Sequence, residues 1–169
     1  MRTVLTALAV VTCAALTAGA ADDEKYTSKD GKFAVQFPKG AKVTTETQKN
    51  GGLDMKVAKV ADGADKKFIV MYVDLPDAAK NAPAKTLLDA IEAGMVKTSG
   101  GKLDGSKDFE SGKGKYPGRE LLVDKDGAKT KARLVLVETR AYIVIVGGPK
   151  EFATEKDATA FLDSFEVTK

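Results

Sequence analysis

The sequence predicts an α+β fold, an antiparallel β-sheet with helices packed on it in an α/β/α sandwich. Three observations carry that prediction. Alternating apolar and polar runs recur between tight-turn dipeptides, helical periodicity appears only near 81–98 and 154–165, and no regular β-α-β alternation links them. Residues 68–73 are apolar on both faces, as expected of the central strand of a sheet covered on two sides.

The elements follow in order. Phe33, Val35 and Phe37 alternate with Ala34 and Gln36, and Pro38 and Gly40 end that strand. Asp30-Gly31 is a turn that makes 26–28 its partner strand. Residues 43–49 form an exposed strand, and Asn50-Gly51-Gly52 turns the chain into Leu53, Met55 and Val57. The parity change at Lys59, with Ala58 and Val60 taking the other face, predicts a bulge or twist, and Asp62-Gly63 turns again. Pro76 closes the strand at 68–73.

The first helix is expected over 81–98, with Pro83 in its first turn, Leu87, Leu88, Ile91 and Met95 on one face, and Gly100 past its end. A weaker strand at 103–111 and a basic loop at 112–115 come next. Tyr116-Pro117-Gly118-Arg119 has Pro and Gly where a type II turn wants them. Strands at 120–124, 130–138 and 141–146, joined by turns at Asp126-Gly127 and Thr139-Arg140, make an antiparallel meander that Gly147-Gly148-Pro149 breaks. Thr154 to Asp157 reads as a capping box opening a helix with Ala158, Phe161, Leu162 and Phe165 on its face.

The start of the chain gives an address. Arg2, the apolar run at 4–16 and Ala18-Gly19-Ala20 form a Sec-type secretory signal peptide over residues 1–20, leaving one domain at 21–169 that is secreted or periplasmic. Cys13, the single cysteine, lies inside that run, so the exported domain is expected to have neither thiol nor disulfide. About 150 residues suffice to build one core without such staples. No later apolar run approaches a membrane span.

Charge and residue inventory exclude several chemistries. The 27 basic and 24 acidic residues are interspersed, and all the basic ones but Arg2, Arg119, Arg133 and Arg140 are Lys, which describes a solvated surface and no nucleic-acid interface. The chain has no His. The commonest general base, the thiol nucleophile and the ligands of softer metals are therefore missing, and neither cofactor nor metal is expected.

Short motifs read better as structure. Ser99-Gly100-Gly101-Lys102 matches Ser-x-x-Lys but follows a helix instead of opening one, so it is a helix stop. In Gly112 to Gly118, Pro117 and the lack of a following helix spoil a phosphate cradle. Asp124-Lys125-Asp126-Gly127 lacks the further ligands of a calcium loop and suits a hairpin. Tyr116 and Arg119 are the residue types that anchor partner contacts and form the candidate partner-binding loop; the alternative is that Tyr116 packs on the sheet edge and Arg119 pairs with a carboxylate.

Several phrases carry a resemblance: Tyr26-Thr27-Ser28-Lys29-Asp30-Gly31-Lys32-Phe33 running into Val35-Gln36-Phe37-Pro38, then Tyr116-Pro117-Gly118-Arg119-Glu120, and Phe161-Leu162-Asp163-Ser164-Phe165. They resemble small exported bacterial domains of the PsbP-like fold, named for the extrinsic subunit of photosystem II and shared by a Ran-binding nuclear-import factor. That resemblance implies an antiparallel sheet between helices and a role as a binding or assembly factor, without a catalytic motif to transfer.

The expected function is a monomeric, exported, non-catalytic binding or assembly domain with a protein or small-ligand partner. The alternatives are a small secreted hydrolase using paired carboxylates, or a carrier holding an apolar ligand beneath the helix face at 87–95. Intact mass of the native protein is expected to place its N-terminus at Ala21 or Asp22 with no lipid; a mass that retains an acylated Cys13 overturns the reading.

Overall fold

The computed structural model describes residues 25–62, 65–149 and 151–169. The expected signal peptide with Cys13, residues 21–24 and Gly63 of the Asp62-Gly63 turn lie outside the described residues. Ten strands and two helices follow in the order β1 (Tyr26–Ser28), β2 (Phe33–Val35), β3 (Thr44–Asn50), β4 (Leu53–Asp62), β5 (Lys66–Asp74), α1 (Ala84–Ser99), β6 (Lys102–Ser111), β7 (Tyr116–Lys125), β8 (Ala128–Val137), β9 (Arg140–Pro149), α2 (Lys156–Ser164) and β10 (Glu166–Val167). Short 3₁₀ turns at Asp77–Asn81 and Phe152–Thr154 precede the helices.

The large sheet is antiparallel in the order β3-β4-β5-β9-β8-β7-β6, and a small one has the order β1-β2-β10. The α+β prediction holds. Alternation along the large sheet feeds two apolar layers. On one face Leu121, Leu134, Leu136 and Ile143 pack under Leu88 of α1; on the other Val70, Tyr142, Val144 and Val146 meet the small sheet and the α2 residues Ala158, Phe161 and Leu162. Phe33 joins the small sheet to that second layer, with its ring 6.1 Å from Tyr72 and 5.8 Å from Phe165. No helix among the described residues is long and apolar enough to cross a membrane.

The middle strand is β9, not the expected 68–73 run of β5, which sits one place off centre. Correspondingly Val70 is fully buried, whereas Met71, on the opposite face, is only half-buried at the margin of the layer that α1 forms chiefly with β7 and β8. Lys59 carries no bulge: β4 keeps unbroken register with both neighbours. Its parity change instead marks a strand whose first half packs toward α1's face and whose second half packs toward the small sheet. The one register shift among the described strands lies in β6 between Leu103 and Gly105.

Pro and Gly misled elsewhere for steric reasons. Tyr116-Pro117-Gly118-Arg119 is no turn but the start of β7. Pro117 lies one residue outside the β7–β8 ladder, which begins at Gly118↔Val135, so its missing N–H breaks no pairing there. A Cβ on Gly118 would stand 2.8 Å from the Leu134 carbonyl oxygen; the glycine serves close strand approach. Likewise β9 continues through Gly147-Gly148-Pro149, and Gly148 leaves room for the Phe152 ring.

The Asp126-Gly127 hairpin is as expected, with Asp126 at φ 53°. The next turn is Glu138-Thr139, one residue earlier than Thr139-Arg140, with Glu138 at φ 53° and Val137 paired to Arg140. Pro83 caps α1 from outside instead of lying within its first turn, and Gly100 ends it in the left-handed conformation. At α2 the cap position is Glu155 without a side-chain bond; the Thr154 hydroxyl donates backward to the Glu151 carbonyl, so the expected capping box does not form.

Phe68 is where the layers meet most tightly, with its ring 5.2 Å from Phe161 and 5.6 Å from Phe152. Phe68→Ala is expected to cost about 3–5 kcal/mol in denaturant unfolding. A loss well under about 1 kcal/mol would mean that α2 does not depend on that contact.

Candidate functional site

Arg119 and Glu120 are neighbours on β7 and therefore face opposite sides of the sheet. On the α1 side Arg119 is 5% exposed, a buried charge within the core. Its Nε donates to Asp108 Oδ1 at 2.6 Å, and its Nη1 donates to Asp89 Oδ1 at 2.6 Å and Glu92 Oε2 at 3.2 Å. These bonds, Asp108's and Asp89's foremost, push the guanidinium pKa above its ordinary value, and Arg119 in turn holds the carboxyls of Asp89 and Asp108 below theirs. Arg119 thus fastens α1 to β6 and β7.

Tyr116 lies on the other face, packed against the second apolar layer and over Gly114. The candidate loop is a strand, and its two residues do not share a surface. The packing alternative describes both: Tyr116 rests on the sheet end and Arg119 pairs with carboxylates.

That second face is covered unevenly. The small sheet and α2 reach over β4, β5, β9 and the edge of β8, and beyond them the face of β6 and β7 stays open. A groove of about 700 Å³ runs between the end of α2 and β6–β7. Val135, Val144 and Leu162 seal its floor, Phe109 and Phe165 are half-buried in its walls, and Ser111 and Ser164 line it. Arg133 is its centre. Its Nε donates to Glu120 Oε2 at 2.8 Å and its Nη1 to Asp163 Oδ1 at 2.6 Å, while its guanidinium stands 5.8 Å from the Phe109 ring centre. Lys131 bridges the other Glu120 oxygen at 3.0 Å.

Burial pushes the Glu120 carboxyl up, but the hydrogen bonds from Arg133 and Lys131 together outweigh it and the net shift is downward. Burial also opposes the charge on Arg133, and Glu120 and Asp163 more than compensate. Around Arg133 the groove therefore holds paired opposite charges. Two smaller hollows, of about 330 and 350 Å³, lie beside Phe37 and Phe152 and beside Thr45 and Tyr72. The α1 face at 87–95 instead packs on Leu121 and Leu134.

The remaining motifs fall into turns and caps. The Ser99 hydroxyl donates to the Val96 carbonyl and accepts from the Gly101 N–H, which is helix-stop geometry. Asp124 Oδ1 accepts from the Gly127 N–H across the hairpin. Reasoning from sequence had passed over Glu120, Arg133 and Asp163. A signal for the first two existed, since counting back from Asp126-Gly127 sets Glu120 opposite Arg133. Asp163 gave none, because only the seating of α2 brings it there.

The fold is PsbP-like. The chain matches the solution structure of cyanobacterial PsbP (CyanoP) from Synechocystis sp. PCC 6803 with a TM-score of 0.65 and 13% identity, over 89% of this chain and 95% of that one. No protein-family model and no curated protein sequence matches it. At that identity the likeness speaks for the fold.

Arg119 gives a pH-dependent expectation. Because Asp89 and Asp108 are depressed below their ordinary 3.8, their contribution is present above that pH and lost as pH falls through the folded values. In Arg119→Met the three carboxylates repel instead. Thermal melts should show a stability deficit at pH 7 that narrows at about pH 3. A deficit unchanged between the two would assign Arg119 a packing role only.

Proposed function

We propose that this chain is an exported, monomeric, non-catalytic binding or assembly domain whose recognition surface is the groove between α2 and β6–β7. One observation carries the reading: at the groove's centre Arg133, Lys131, Glu120 and Asp163 are paired with one another, above a floor closed by Val135, Val144 and Leu162. Such a surface is pre-organised for contact.

The hydrolase alternative needs a carboxyl that stays protonated near neutral pH beside one that does not. In the groove the Arg133 guanidinium bonds both Glu120 and Asp163, and Glu120 shifts downward, the opposite of what the acid of such a pair needs. Apolar carriage needs an enclosed hollow, and this groove is open with its apolar floor already packed. Export rests on the signal pattern of residues 1–20. The shared fold does not itself choose among functions.

The test is site-specific photo-cross-linking in the native host. A cross-linkable residue at Ser111, in the groove, is expected to give a discrete adduct, whereas one at Lys97, exposed on α1, is expected to give none. Identical adducts from both positions, or none from Ser111, would overturn the groove as the recognition surface.

A further inference from the structure

The charges around the groove do not all cancel. Lys25 is paired with Glu166, Lys131 and Arg133 with Glu120, and Arg133 also with Asp163. Lys107 is the exception among the cations that line it. It stands directly across the β6–β7 ladder from Glu120, the partner that cross-strand pairing would give it. Both Glu120 oxygens are already taken, by Lys131 at 3.0 Å and by Arg133 at 2.8 Å. Among the described residues Lys107 is left in the groove wall without an acid.

The hairpin at 112–115, whose Gly112 lines the same groove, carries Lys113 and Lys115, and neither has an acidic partner among the described residues. Among the described residues Glu110 is the one carboxylate lining that wall without a cationic partner. Uncompensated charge at this end is therefore positive, next to the half-buried rings of Phe109 and Phe165.

We infer, resting on the groove reading above, that the groove receives an acidic segment of a protein partner, with Asp or Glu side chains reaching Lys107, Lys113 and Lys115 and an apolar side chain laid on Phe109 and Phe165. Charge complementarity sets the sign, and the accessible rings favour a peptide over a bare polyanion. Nucleic acid fits less well, because Arg119, Arg133 and Arg140 are all held by carboxylates and Glu110 sits among the free lysines.

The experiment selects binders from a random-peptide display library on the purified protein. Fluorescence anisotropy then measures the enriched peptides against wild type, the triple variant Lys107→Glu, Lys113→Glu, Lys115→Glu, and Ser111→Trp, which fills the groove without changing charge. Circular dichroism confirms that each variant is folded. Enriched peptides should be acidic with an apolar residue, should bind roughly tenfold or more weakly to the triple variant, and should weaken with added salt. They should also be lost in Ser111→Trp.

Neutral or basic peptides that Ser111→Trp nevertheless abolishes would overturn the acidic partner while leaving the groove. Acidic peptides indifferent to Ser111→Trp would show adhesion to surface lysines and overturn the inference, as would a labelled DNA duplex that outcompetes them. No peptide sensitive to Ser111→Trp would bring down both readings.

Discussion

The ladder from Lys67↔Gly147 to Asp74↔Arg140 joins what would otherwise be two separate meanders, β3-β4-β5 and β6-β7-β8-β9. Its side chains alternate between the two apolar layers, so the same pairing that closes the sheet also fixes which residues each layer receives. A slip of β5 by one residue would turn Phe68 and Val70 away from α2 and present them to α1's side. Register here is held by burial on both faces as well as by hydrogen bonds, and Arg140 locks its end with a bidentate pair to Asp74 and a bond to the Asp30 carbonyl.

Coverage of that sheet is staggered, and the groove is a product of the stagger. Since α1 sits over β7 and β8 while α2 and the small sheet sit toward β5 and β9, each helix covers the far part of its own face less closely: Met71 and Ile145 are half-buried on α1's side, and Glu120 and Leu122 on α2's. Arg119 and Glu120, adjacent in sequence, consequently live in different worlds. One is sealed beneath α1 as a structural tie; the other stands in an open groove with Arg133. Both are satisfied by opposite charges, and only the second can be reached from outside.

Much of the fold was legible because hairpins declare themselves locally. Asp126-Gly127 and Asn50-Gly51-Gly52 set register over long ladders from a few residues, and the helices announced their apolar stripes. Strand order was less accessible: β5 is as apolar as a central strand, and only the return of the C-terminal meander puts β9 between it and β8. Pro117-Gly118 and Gly147-Gly148 looked like punctuation because turn chemistry and close strand packing ask for the same residues. The site was half legible. Glu120 and Arg133 follow from one turn, but Asp163, Phe165 and Lys25 reach the groove through the docking of distant elements, which no local pattern encodes.

The small sheet adds a matter of timing. Its middle strand, β2, is paired on one side with β1 and on the other with β10, so Ala34 faces Glu166 and Phe33 faces Val167 across nearly the whole length of the chain. A chain that emerges N-terminus first can close the β1–β2 hairpin early but must hold the outer edge of β2 unpaired until β10 arrives. The wall of the groove that carries Glu166 and the Lys25 bridge is accordingly formed only once β10 has paired with β2.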